Sequence, residues 1–172
     1  MAGIYFSLGS NQGDRMSSLV KATKLIGNLI GKVIQYSPVF ESEPWGFVAD
    51  TSFFNVVLMA ESELNPQQVL NQVLEIENTL GRKRSGKEYS SRIIDIDILF
   101  YDEKKIDENN LVIPHPLLHR RKFVLEPLAA IAPDLIHPGY QTTITELLHQ
   151  LKDNSLISLV VEKEEFARLV NE

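Results

Sequence analysis

Cysteine is absent from the 172 residues. Disulfides, thiolate metal sites and cysteine nucleophiles are thereby excluded, and the absence fits a reducing compartment. No apolar run comes near the roughly 20 residues that span a bilayer. The start, Met1-Ala2-Gly3-Ile4-Tyr5-Phe6, has neither the basic region nor the long apolar stretch of a signal peptide. Excess positive charge is also lacking: 17 Lys and Arg stand against 23 Asp and Glu, a net charge of −6, which argues against a general nucleic-acid binder. Internal repeats, low-complexity segments and linkers rich in Gly and Ser are missing as well. With a length that suits one domain, the expectation is a single domain over 1–172, monomeric and cytoplasmic, with neither nucleic acid nor membrane as partner.

What is present reads as alternating strands and helices. Residues 4–8 form a short strand ending at the turn cluster Gly9-Ser10-Asn11. Leu19, Ala22, Ile26 and Leu29 then share one helical stripe. A strand over 32–41 precedes a loop from Pro44 to about Thr51, and 53–60 is a strong strand. Asn65 and Pro66 open a second helix, and Gly81 can close it. After a polar loop, 92–101 alternates as a strand. A minor strand at 111–113, helices near 122–131 and 143–151, and a tail from about 155 to 172 follow. The order strand, helix, strand, strand, helix, strand is the split βαβ pattern. It predicts an α+β fold: a ferredoxin-like antiparallel sheet with helices on one face, three-layer-like with an added C-terminal part. The tail has no assigned role.

The sharpest chemical signal is Ile94-Asp95-Ile96-Asp97-Ile98-Leu99-Phe100. Strand alternation puts Ile94, Ile96, Ile98 and Phe100 on one face and the two acids on the other, about 7 Å apart. Two like charges that close repel, and a hard divalent cation relieves the repulsion. Alternation alone leaves two readings open, metal ligands or a solvated face. Just before this strand stand Arg82, Lys83, Arg84, Lys87 and Arg92. A basic loop on an acidic chain suits an anionic ligand, and its adjacency to the acids favours phosphoryl transfer. Gly81 to Glu88 nearly fits a P-loop. However, Glu88 replaces the metal-binding hydroxyl, and the segment runs from helix to strand, the reverse of a P-loop.

Phe53 and Asn55 share a strand face. A ring beside an amide suits a flat heterocycle, although a core Phe and a structural Asn would read the same way. His115 is stiffened between Pro114 and Pro116 and can meet a phosphate. With Pro116 between them and no acid nearby, His115 and His119 do not read as a zinc pair.

Taken in order, these residues resemble the 6-hydroxymethyl-7,8-dihydropterin pyrophosphokinase family. The resemblance runs from about Ile4 to Pro138. It rests on Leu8-Gly9-Ser10-Asn11, Phe53-Phe54-Asn55, Gly81-Arg82-Lys83-Arg84, Arg92 to Leu99, Pro114-His115, Arg121, Phe123, Glu126-Pro127-Leu128 and Ile131-Ala132-Pro133. It implies a ferredoxin-like fold, two magnesium ions, ATP as co-substrate, and transfer of its β,γ-diphosphoryl group to a pterin. It further implies that Asp95 and Asp97 hold the ions, and that Arg82, Arg92 and Asp97 serve catalysis, the two arginines on a loop that closes over ATP. Glu77, Arg84, Ile98, His115 and Arg121 are implied on the nucleotide. Gly9, Ser42, Trp45, Phe53, Asn55, Asp95 and Phe123 are implied on the pterin. Two rivals remain at this point: a non-catalytic nucleotide-binding module, which needs no metal pair, and a single-strand RNA binder, which the acids on the sheet face oppose.

Overall fold

The computed structural model describes residues 1–82 and 91–172. Its elements run β1 (Ala2–Ser10), α1 (Arg15–Leu29), β2 (Lys32–Tyr36), β3 (Val39–Ser42), β4 (Phe53–Ser62), α2 (Pro66–Thr79), β5 (Asp95–Tyr101), β6 (Ile106–Glu108), β7 (Leu111–Ile113), α3 (Lys122–Ile131), β8 (Ile136–His137), β9 (Thr142–Thr143), α4 (Ile144–Gln150), β10 (Ile157–Val161) and α5 (Lys163–Asn171). The main antiparallel sheet is ordered β10-β3-β4-β1-β5, with β2 beside β3 on the same edge of β4. Counting β2 and β3 as one interrupted strand, this is the split βαβ arrangement with β10 added at one edge. Among the described residues no helix is long and apolar enough to cross a membrane.

The interruption corrects the single strand expected over 32–41. Pro38 has no N–H to donate, so the ladder breaks there. Ser37 fills the gap: its N–H donates to Val57 O at 2.9 Å and its Oγ accepts from Val57 N at 2.9 Å. β2 therefore pairs with the far half of β4, and β3 with Phe53, Phe54 and Asn55 at its start. In α1, Leu29 is exposed and Ile30 is buried in place of the expected Leu29. α2 begins as expected, with Asn65 and Gln68 capping each other reciprocally at 3.0 and 2.9 Å.

Two apolar cores lie on opposite sides of the sheet. Ile4, Phe6, Leu8, Val56, Leu58, Ile96 and Ile98 pack against α1, α2 and α5. Val57, Leu99 and Phe100 pack against α3 and α4. The third layer covers only part of the second face, which would otherwise be the open one. The remainder of that face, toward Asp95 and Asn55, stays accessible.

Strand β5 starts at Asp95, not Arg92. Arg92 is held instead by Asn11, whose Oδ1 accepts from Arg92 N at 2.7 Å and whose N–H donates to Arg92 O at 3.1 Å. The alternation also breaks inside β5. Phe6 pairs with Ile98 but Tyr5 pairs with Phe100, so one extra residue is accommodated there. Phe100 consequently leaves the face of Ile96 and Ile98 and meets Tyr5 edge-on at 6.1 Å in the second core. The freed carbonyl of Leu99 accepts from His115 N at 3.0 Å, which hangs His115 beside the acids.

Candidate functional site

The floor of the site is one row across three strands. Asp95 lies opposite Gly9, and Gly9 opposite Asn55. A Cβ on Gly9 would stand 3.4 Å from Asn55 Oδ1 and 3.5 Å from the Phe53 ring. The missing side chain thus leaves flat floor between an amide and a carboxylate. Asn55 is buried, and its Nδ2 donates to Ser42 Oγ at 2.8 Å, which orients the amide. Ser42, Trp45 and Phe47 form one side of a cavity of about 310 Å³, and Phe123 and Arg121 form another. The Trp45 and Phe123 rings are 6.4 Å apart, and Phe47 meets Phe53 edge-on at 6.0 Å. Such an aromatic slot with one amide suits a flat, polar-edged heterocycle.

A second cavity of about 370 Å³ adjoins the first. Its own walls are Leu70, Leu74, Glu77, Asn110, Leu111 and Val112. Arg82, Asp95, Asp97, His115 and Pro116 line both. The junction of the two cavities is therefore the acidic pair with its cationic partners.

At that junction Asp95 takes Arg82 at 2.8 Å and Arg92 at 2.9 Å. Asp97 takes Arg121 at 3.2 Å. Burial first, and then the charge of Asp95, raise Asp97 to about 7 against the opposing pull of Arg121. Glu77 lies behind the pair, almost fully buried. It accepts from Ile96 N at 2.8 Å and is paired with Arg82. Burial is the first cause of its raised pKa, with Arg82 and the Ile96 N–H pulling the other way. Burial, then the charge of Arg121, lowers His115 to about 4. Its Nδ1 accepts from Leu117 N at 3.2 Å, so the neutral ring carries its proton on Nε2, 3.7 Å from Asp97. Arg121 stacks near Trp45 and Phe123, at 5.0 and 5.7 Å, yet its Nε is buried with no acceptor among the described residues. A buried guanidinium with an unused donor is suited to an incoming anion.

The structure brings together nearly every residue singled out from the sequence. Gly9, Ser42, Trp45, Phe53, Asn55, Arg82, Arg92, Asp95, Asp97, His115, Arg121 and Phe123 line the first cavity, and Glu77 and Ile98 the second. Ile98 faces the first core and is mostly buried, so its contribution is to the wall. Arg84 and the rest of the basic loop, Lys83 to Ser90, lie outside the described residues. Sequence reasoning missed Phe47, Glu43, Ser7 and Leu117 as lining residues. Ser7 was open to inference, because it shares a strand face with Gly9. Phe47 and Glu43 were not, because no periodicity orients a loop.

Among the described residues no group of three or more carboxylates or imidazoles gathers to hold a metal. Two adjacent carboxylates, one of them with a raised pKa, still fit magnesium, which keeps several waters and completes its shell with substrate phosphates.

A family model described as 7,8-dihydro-6-hydroxymethylpterin-pyrophosphokinase matches residues 5–133. The chain is 40% identical over 146 residues to a 2-amino-4-hydroxy-6-hydroxymethyldihydropteridine pyrophosphokinase of Aquifex aeolicus, covering 85% of this chain and 90% of that protein. It is 43% identical over 145 residues to the protein of the same name from Porphyromonas gingivalis, covering 83% and 98%. A crystal structure of an HPPK-DHPS in complex with substrates superposes with a TM-score of 0.72 at 15% identity, over 86% of this chain and 43% of that one. Wild-type Plasmodium falciparum HPPK-DHPS gives 0.70 at 18% identity, over 87% and 44%. The chain spans less than half of these two, and at such identity they show a shared fold.

Proposed function

We propose how a chain that belongs to the 7,8-dihydro-6-hydroxymethylpterin-pyrophosphokinase family uses its two cavities: the pterin in the aromatic one, the nucleotide in the other, the reacting atoms between them. The activity is that of the family. The diphosphoryl group of ATP passes to 6-hydroxymethyl-7,8-dihydropterin, a step of folate biosynthesis. The observation that supports the placement is the shared junction, because a group transferred between two substrates must sit within reach of both.

In this reading the pterin lies over Gly9, between Phe53 and Phe123, with Asn55 at its polar edge and Ser42 and Trp45 closing the pocket. Its hydroxymethyl oxygen faces Asp95 and Asp97 and attacks the β-phosphorus of ATP, and AMP leaves. Asp95 and Asp97 would hold two magnesium ions, which supply charge neutralisation on the phosphates when bound. Arg82 and Arg92 stand at the junction to carry charge developing on the transferred group. Arg121 offers its unused Nε, and His115 its Nε2 proton, to phosphate oxygens. Glu77 and Ile98 back the nucleotide side. The working unit proposed is a cytoplasmic monomer.

The test is a product analysis. Protein, Mg–ATP and 6-hydroxymethyl-7,8-dihydropterin should give AMP in amounts that depend on pterin. Release of ADP, or AMP without pterin, would overturn the reading. Phe123→Ala should raise the KM for pterin by roughly tenfold or more and leave that for ATP nearly unchanged.

A further inference from the structure

The tail lies beyond the last residue the family model matches, 133, yet it pairs with one wall of the aromatic cavity and is tied to the residue beside the other. At its start Ser155 O accepts from Lys122 Nζ at 2.9 Å, and the next residue in α3 is Phe123. Two residues on, Ile157 pairs opposite Ser42, which itself pairs opposite Phe53. Ile157, Ser42 and Phe53 thus form one row across three strands, ending on the ring at the cavity floor. β3 is only four residues long and pairs with β4 at three positions, Phe40, Glu41 and Ser42. Without β10 it would be a short edge strand frayed toward the cavity, with Ser42 at its loose end. The tail is anchored independently. Phe166 of α5 is fully buried, edge-on to Tyr36 at 6.0 Å, and Val170 joins the same core.

We propose that the tail is a brace for the pterin pocket, with Ile157–Val161 and the Ser155–Lys122 tie acting as positioning elements. They fix the distance between the Ser42 wall and the Phe123 wall. The inference rests on the pocket reading above. Its physical content is specific. Ser42 Oγ orients the Asn55 amide, so letting β3 fray frees that amide to rotate and widens the slot. Pterin binding weakens, while the nucleotide cavity, on the far side of Asp95 and Asp97, is unaffected.

The test uses full-length variants with separate KM values for each substrate. In an antiparallel ladder, consecutive residues point their N–H groups to opposite sides. Of Ile157→Pro and Ser158→Pro, one therefore breaks a bond to β3, and the other places proline on the open edge, where it is tolerated. The expected result is that one of the two raises the pterin KM roughly tenfold with kcat and ATP KM unchanged, and that the other does not. Lys122→Met, which leaves both strands intact, should raise pterin KM in the same selective way. Phe123→Ala serves as the control for the pocket. If it raises pterin KM while Lys122→Met and both folded proline variants keep the wild-type value, the brace is refuted and the pocket stands. Lowered melting temperature with unchanged KM refutes it equally. If Phe123→Ala itself has no effect, the pocket reading fails and the brace with it.

Discussion

At the residue scale the site holds charge at a cost to stability. Asp97, raised to about 7, has a folded-state value above the unfolded 3.8. Such a carboxylate favours the folded state least when ionised, so its contribution worsens as pH rises through 7. In the metal-free protein, Asp97→Asn should therefore be more stable than wild type at pH 8, and the advantage should be markedly smaller at pH 5, where the folded carboxyl is protonated but the unfolded one is still ionised, and vanish only below the unfolded value of 3.8. Paired denaturant titrations at the two pH values check this, and the same variant should lose nearly all activity. His115 has the opposite sign. Lowered to about 4 from 6.5, it contributes stability above pH 6.5 that is lost as pH falls through 4, about 3 kcal/mol at the low end. Comparing His115→Gln with wild type across that window should reveal it. Glu77→Ala should cost roughly 1–3 kcal/mol, because it strands the Ile96 N–H and leaves Arg82 with Asp95 as its remaining carboxylate among the described residues; Glu77→Gln, which keeps an acceptor, should cost less.

At the scale of elements, local chemistry decides boundaries that periodicity alone cannot. The cap at Asn65 was legible because it is written in two adjacent residue types, Asn65 and Pro66. The break at Ser37-Pro38 was also written there, but an apolar pattern that continued across it hid the break. Phe100 misled for a different reason: a bulge leaves no mark in one strand, since it exists only as a mismatch with another. Gly31 shows a constraint that no pattern exposes. A Cβ there would overlap the Glu61 carbonyl oxygen, so Gly31→Ala must push β2 away from β4. It should destabilise by several kcal/mol, about 2–4, measurable by thermal unfolding. Asn65→Ala, by contrast, should cost about 1 kcal/mol and leave both KM values alone.

For the whole molecule, the contrast is between a net charge of −6 and a junction lined by Arg82, Arg92 and Arg121. The bulk repels a polyanion while the junction attracts it. Salt screens the exposed bulk charge more than the partly buried junction, but the attraction acts on phosphates alone. Raising ionic strength from 50 to 500 mM should thus change the KM for ATP several-fold more than that for the uncharged pterin. Residue order along the chain was enough to read the class of chemistry and most of the lining. It could not reveal that the lining divides into two cavities, because the division falls where Arg82, Asp95, Asp97, His115 and Pro116 come together, a meeting of segments distant in sequence.

The bulge in β5 has a bearing on how the chain finds its fold. A strand that slips by one residue exchanges its faces. Here a slip would drive Asp95 and Asp97 into the apolar layer between sheet and helices, where an unpaired carboxylate is tolerated only by giving up its charge. Every wrong alignment of β5 by one step is penalised twice, and the extra residue at Leu99 lets the acidic half and the apolar half of the strand satisfy their separate surroundings at once. The two acids proposed to hold the metal are in this sense also proofreaders of the sheet. A chain carrying alanine at both positions would be expected to lose fidelity of folding along with its activity.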